Sequence, residues 1–248
     1  MSTNTVYLIT GAARGIGRGL TKAYLSRPNH TVIAAVRDVG TAKAKELLAL
    51  PNAQGSKIIL VKIESTSETD PKDVAASLGT EHGIVKIDVI IANSGIANYY
   101  GPIISTPVAE LREHLQVNTI GPIILFQAML PLLRASPGPK FIVVSSIIGS
   151  IASLKELPVP ASAYGVSKAA VNYLVRKIHF EHPEVVAFPI HPGLVQTDMG
   201  NEGAVKFGFE GAPVTVADSV AAITSKIDSA DREVSGTFVS YDGTNPPW

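Results

Sequence analysis

The feature that most restricts the fold lies near the start of the chain. Val6 to Thr10 is a short apolar run of strand character that passes through Gly11-Ala12-Ala13-Arg14-Gly15-Ile16-Gly17 into an amphipathic stretch ended by Arg27-Pro28. Strand and helix then keep alternating. Apolar runs at Thr31 to Val36, Ile58 to Ile63, Ile87 to Ala92, Phe141 to Ser146, Val185 to Ile190 and Thr237 to Ser240 are separated by helical patterns. Strands joined through helices run parallel and are covered on both faces. The expected fold is α/β: one doubly wound, mostly parallel seven-stranded sheet over residues 1–248, with helices on both faces. A chain of 248 residues suffices for one such domain and is short for two.

Composition excludes several classes of function. Lys+Arg and Asp+Glu balance at 21 each, so no field of one sign favours nucleic acid or an anionic membrane, and neither is expected as a partner. There is no cysteine, hence no disulfide, thiolate nucleophile or sulfur-ligated metal. The six histidines are not spaced as a metal site, and none is expected. Met1 to Thr5 lacks the basic cluster and apolar run of an export signal. The apolar stretch Ile120 to Leu133 is interrupted by Gly121, Pro122, Gln127 and Pro131, so no membrane span is expected and a cytoplasmic setting is.

Glycines after a strand let the backbone approach a pyrophosphate, and the free amides of a helix start favour negative charge there. The same glycines also serve as a tight connection, and the T-G-x-x-x-G-x-G spacing is neither the common dinucleotide fingerprint nor a P-loop. The second strand ends at Arg37, where a fold selective for NAD would carry an acid. Arg37, with Arg14 from the glycine turn, suits a 2′-phosphate and points to NADP; the alternative is two solvated arginines, with Asp38 partly neutralising Arg37. Glu64 and Ser65 close the third strand, where they either border an adenine or open the next helix. The fourth runs into Asn93-Ser94-Gly95, a small turn open to a nucleoside.

Thr106-Pro107 predicts a helix start with a hydroxyl cap, running past Asn118 to Leu133. Asn118 is an amide among apolar residues, which favours a surface or satisfied core position. Tyr164-Gly165-Val166-Ser167-Lys168 sets a phenol and an ammonium on one helical face. A phenol is a poor acid near neutrality unless a positive charge favours its anion, and Lys168 is placed to supply that charge. Ser146 ends a buried strand 18 positions earlier. The stretch with Gly200, Gly203, Gly208 and Gly211 around Phe207 and Phe209 is expected to be a surface loop or a substrate lid over residues 198–215.

Taken together, TGAARGIG at Thr10 to Gly17, ANSG at Ala92 to Gly95, Asn118, Ser146-x-x-Gly149, YGVSK and HPGLVQTDM at His191 to Met199 resemble the short-chain dehydrogenase/reductase family over essentially the whole length. Val36-Arg37-Asp38, the VQTDM segment and DGTNPPW are similar to its carbonyl-reductase branch, which includes sniffer-type reductases and fungal norsolorinic acid ketoreductases. The resemblance implies a Rossmann fold and reduction of a ketone or aldehyde by NADPH. It makes Tyr164 the general acid, Lys168 its activator and a ribose ligand, Ser146 the partner of the substrate oxygen, and Asn118 the anchor of a proton-relaying water. It sets Gly11, Gly15, Ile16 and Gly17 at the pyrophosphate, Asn93 and Gly95 by the adenine ribose, and Pro192, Gly193, Val195 and Thr197 at the nicotinamide. It also implies a homodimer or homotetramer. The chain departs from the family pattern at Ala92-Asn93-Ser94-Gly95, at Glu64 in place of aspartate, and in a longer gap between Ser146 and Tyr164, where Ser153 to Pro160 would form extra wall over the substrate.

Ile96, Ala97, Tyr99, Tyr100, Ile151, Met199, Phe207 and Phe209 would line an apolar pocket, which suits a bulky or aromatic, polyketide-like carbonyl better than a sugar. The competing expectation is a catalytically silent NADP-binding regulator, which would have no need of Ser146, Tyr164 and Lys168 together.

Overall fold

The structure is a computed structural model and describes residues 4–248. Seven parallel strands form one sheet in the order β3-β2-β1-β4-β5-β6-β7. They are β1 (Thr5–Thr10), β2 (His30–Val36), β3 (Lys57–Lys62), β4 (Val89–Ala92), β5 (Lys140–Val144), β6 (Val186–His191) and β7 (Val239–Ser240). The chain winds from β1 toward one edge, returns to the centre and winds to the other. The sheet therefore reverses order between β1 and β4, and ligands of open α/β sheets lie beyond the carboxyl ends of the strands at such a point.

The eight helices are α1 (Gly15–Leu25), α2 (Ala42–Lys45), α3 (Asp70–His82), α4 (Val108–Leu115), α5 (Gly121–Arg134), α6 (Ser162–Glu181), α7 (Asp198–Lys206) and α8 (Val216–Ser229). Alternate residues of β1 serve opposite layers. Tyr7 and Ile9 pack with Leu20 and Tyr24 of α1 and Val220 and Ile223 of α8, whereas Leu8 packs with Phe126 and Met129 of α5 and Val171 of α6. That is the period-two signature of a strand buried on both faces.

Several local expectations are corrected. The stretch after β2, whose Leu47, Leu48 and Leu50 are expected on the inner face of a helix, is a short helix that gives way to a 3-10 turn, Glu46–Ala49, which buries Leu47 but leaves Leu48 exposed. Thr106 does not cap α4: its hydroxyl donates to the Pro102 carbonyl, and Pro107 takes the N-cap position. As expected, the helical run continues to Arg134; Gly121-Pro122 and Pro131 break the apolar sequence without ending it, Pro122 standing in the first turn of α5 and Pro131 inside that helix. The run Val108–Arg134 is consequently long and apolar enough to cross a membrane by length and composition, but its Leu125, Phe126, Met129 and Leu133 are buried in the core. The glycine-bearing stretch expected as loop is helical from Asp198 to Lys206, because the Thr197 hydroxyl accepts from the Gly200 amide and caps α7.

Candidate active site

The glycine turn is shaped by its conformation and by its neighbours. Gly11 and Gly15 have φ of +65° and +52°, a region costly for other residues, and a Cβ on Gly17 would collide with the Gly11 carbonyl oxygen. The α1 N-cap, Arg14, makes no side-chain cap, so the first amides of α1 are left for an anion. Ile16 packs against the core below. The turn thus fits a pyrophosphate. A crevice lined by Thr10, Glu64, Ser65, Ala92, Ser94 and Gly121 continues from it across the ends of β1, β3 and β4.

Asn93 is a staple within this cradle. Its Nδ2 donates to the Thr10 carbonyl at 2.9 Å, while the amides of Asn93 and Ser94 both donate to Thr10 Oγ1 at 3.0 Å. Arg37 is 84% exposed at the end of β2, and its Nε lies 3.8 Å from Glu64 Oε2. Its neutralising partner is Glu64 rather than Asp38, whose carboxylate accepts from the Gly40 amide at 2.7 Å. Arg14 pairs with Asp198 of α7 at 3.7 Å. Across the cleft, Pro192 and Val195 are buried, Gly193 has φ +87°, and Thr197 abuts Gly15 while capping α7.

Ser146, Tyr164 and Lys168, the three candidate reactive side chains, lie together beyond the end of β5. Ser146 caps the 3-10 turn Ile147–Gly149, its Oγ accepting from the Ile148 amide at 3.2 Å, which leaves its proton free to donate. Tyr164 and Lys168 sit one turn apart near the start of α6, as their spacing predicts. Lys168 is buried, its Nζ donates to the Val144 carbonyl at 2.9 Å and lies 5.6 Å from the centroid of the Tyr164 ring.

The electrostatics differ from the sequence expectation. Burial dominates at both groups: it pushes the Tyr164 phenol up to about 12, opposed by a hydrogen bond with Ser146, and the Lys168 ammonium down to about 8. Lys168 is turned toward the Val144 carbonyl, and burial of the phenol outweighs the nearby charge in this geometry. Tyr164 is instead a neutral proton donor throughout the physiological range.

Asn118 lies in a π-helical turn, Gln116–Ile120, between α4 and α5. Its Oδ1 accepts from the Ile96 amide at 2.8 Å, and its Nδ2 donates to the Ile96 carbonyl at 2.9 Å and to Ser167 Oγ at 3.0 Å. It is a satisfied core amide, and it also borders the site: a Cβ on Gly95 would lie 3.1 Å from Asn118 Oδ1 and 3.5 Å from Lys168 Nζ. The structure adds Asn172, one turn beyond Lys168, whose Oδ1 accepts from Ser145 Oγ at 2.6 Å. The Tyr164, Lys168, Asn172 spacing of four was the signal that could have found it.

The apolar candidates separate into two groups. Tyr99 braces its own loop, donating to the Ser105 carbonyl at 3.0 Å. Tyr100 meets Phe207 edge-on at 5.8 Å and reaches Gly203 of α7, so the second of the two tyrosines joins this loop to the helix opposite. Met199 is half-buried on α7, Ile96 is held by Asn118, and Ile151 and Phe209 are exposed.

The chain is similar to known proteins over most of its length. A family model described as short chain dehydrogenase matches residues 5–206. Norsolorinic acid ketoreductase of Aspergillus parasiticus is 47% identical over 98% of this chain and 91% of its own. Among solved structures, NADPH-bound carbonyl reductase from chicken fatty liver superposes with a TM-score of 0.86 at 30% identity, covering 100% of both chains. Carbonyl reductase Sniffer of D. melanogaster does so at 0.84 and 30%, covering 99% of this chain and 100% of its own. Matched by that family model over residues 5–206 and by relatives along nearly its whole length, the chain belongs to the short-chain dehydrogenase family and is an oxidoreductase.

Proposed function

We propose that this protein reduces a bulky aromatic ketone to the alcohol with NADPH. The observation that carries the proposal is the pairing of Ser146 with Tyr164 one helical turn from Lys168, beside the loop Gly95–Ile96 that borders the glycine turn. NADPH, when bound, supplies the hydride. Gly11, Gly15, Gly17 and the start of α1 would hold its pyrophosphate, and Arg37 with Arg14 its 2′-phosphate. Thr197, Pro192, Gly193 and Val195 would border its nicotinamide. Tyr164 gives its proton to the carbonyl oxygen as negative charge develops there, and the Ser146 hydroxyl donates to the same oxygen. Lys168, charged below about pH 8, steadies the resulting phenolate. Asn118 acts by position, fixing loop Gly95–Ile96 against α6.

The substrate class is supported by the Tyr100–Phe207 contact, Tyr100 being near Tyr164, by the apolar residues Ile96, Ile151 and Met199 on neighbouring loops and α7, and by the ketoreductase similarity. NADP is supported by the exposed Arg37 and by the NADPH-bound carbonyl reductase of like fold. The test is NADPH consumption against aliphatic, aromatic and polyketide-like ketones, norsolorinic acid included, with Tyr164→Phe as control. Turnover of aromatic ketones that disappears in the variant is expected; equal turnover in the variant would sink the assignment.

A further inference from the structure

The loop that joins Ser146 to Tyr164 is longer than its family pattern, and it is anchored at three places. At its start, Gly149 lies flat on α6, where a Cβ would come within 2.7 Å of the Lys168 carbonyl carbon. At its end, Ala161 bridges Gly101, and the Ser162 amide donates to the Gly101 carbonyl at 3.4 Å. Between them a distant segment holds it. Ser150 is buried and its hydroxyl donates to the Pro247 carbonyl at 2.7 Å, while the Ala152 amide donates to the Trp248 carbonyl at 2.9 Å. A hydroxyl has one proton, so the Ser153 hydroxyl, 2.9 Å from that of Ser150, donates back to it and closes the turn.

What keeps Pro247 and Trp248 in place is the Trp248 indole. It stacks on the buried Phe238 with centroids 5.9 Å apart and planes at 25°, and the Arg176 guanidinium of α6 covers it at 4.9 Å. One side chain thus ties β7, α6 and the loop together. The loop's apolar side chains Ile151 and Leu154 are 69% and 59% exposed, although the backbone on either side is pinned. Exposed apolar groups on a fixed backbone, in the loop that leads directly from Ser146 to Tyr164, suit contact with a large ligand.

We infer that Trp248 is a positioning residue for substrate size: through Pro247 and its own carbonyl it sets loop 150–157 as a preformed wall for the far end of a bulky aromatic ketone. A small ketone needs only Ser146 and Tyr164 and does not meet this wall. Releasing the loop transfers its ordering cost to binding of the large substrate alone. The inference rests on the assignment of Ser146 and Tyr164 as the reacting pair, but it fails separately.

The test compares wild type, Trp248→Ala, Trp248→Phe and Tyr164→Phe on 1-acetonaphthone and on 2,3-butanedione with NADPH. Trp248→Ala should raise KM for the naphthyl ketone about 3- to 10-fold with kcat nearly unchanged, and leave the butanedione constants within about 2-fold. Trp248→Phe, which keeps a ring on Phe238, should restore most of the difference. Equal losses on both probes, or none, would overturn the inference, whereas activity surviving in Tyr164→Phe would overturn the assignment beneath it. Hydrogen exchange supplies a readout independent of turnover. The Ala152 amide should exchange about tenfold faster or more in Trp248→Ala, while α6 amides near Lys168 stay protected; unchanged protection at Ala152 overturns the inference whatever the kinetics.

Discussion

The Asn118 side chain donates to Ser167 Oγ at 3.0 Å, and Ser167 in turn donates to the Tyr164 carbonyl at 2.7 Å. Thr119 adds a bond to the Ser167 carbonyl at 2.8 Å. The π-helical turn therefore grips the turn of α6 that carries Tyr164 and Lys168. Asn118→Leu would strand the buried Ile96 amide and carbonyl and should cost about 1–3 kcal/mol in a urea melt. Turnover should fall as well, because loop Gly95–Ile96 loses its register against Lys168. A variant as stable and active as wild type would refute the positioning role.

In the proposed reaction Tyr164 and Ser146 act on one oxygen in different ways, and their variants should differ accordingly. Tyr164→Phe removes the proton donor and should lower kcat by about 10²- to 10⁴-fold or more. Ser146→Ala removes a fixed hydrogen bond to developing charge and should cost about 10²- to 10³-fold. Neither should change NADPH affinity much, which a fluorescence titration would measure.

A pH–rate profile should fall on the alkaline side as Lys168 loses its charge around pH 8. Stability has its own signs. Lys168 is lowered from 10.5 to about 8, so between these values the unfolded chain binds more protons and this group's contribution to stability rises with pH. Tyr164 is raised from 10.0 to about 12, so its contribution is complete below 10 and lost as pH climbs to 12. A rate profile flat from pH 7 to 10 would remove Lys168 from the mechanism.

His191, at the end of β6, is nearly enclosed, and its Nδ1 is buried without a partner. Burial lowers its pKa from 6.5 to about 4. Below 6.5 the unfolded chain takes up the proton first, so stability should drain away between pH 6.5 and 4, by on the order of 3 kcal/mol from this group. His191→Leu should flatten that part of the curve in denaturant melts recorded across the range.

Arg37 bears on cofactor choice. Arg37→Ala removes a charged partner for a 2′-phosphate and should lower the ratio of NADPH to NADH efficiency by about 10- to 100-fold, from the worth of a charge-assisted hydrogen bond. An unchanged ratio would show that Arg37 does not read the phosphate. Glu64, freed of its ion pair, should then weigh further against the phosphorylated cofactor.

How much of this was legible in advance depended on the range of the interaction. Alternating apolar runs and glycine turns are local signals, so the parallel seven-stranded sheet, the glycine cradle and the shared face of Tyr164 and Lys168 could be read from sequence. The helix at Asp198 was missed because its glycines lower propensity, while the Thr197 cap that offsets them is a single hydroxyl. The partner of Arg37 was misjudged because Glu64 comes from the neighbouring strand, brought there by the β2–β3 pairing.

The amino-acid sequence by itself determined the order of elements and the shared helical face of Tyr164 and Lys168, since both follow from side-chain periodicity. Only the tertiary structure decided their state. Folding pushes the Tyr164 phenol up through burial, turns Lys168 toward the Val144 carbonyl, and brings Trp248 against a loop nearly a hundred residues earlier. Desolvation and long-range contact depend on what surrounds a group in space, and no local pattern encodes that.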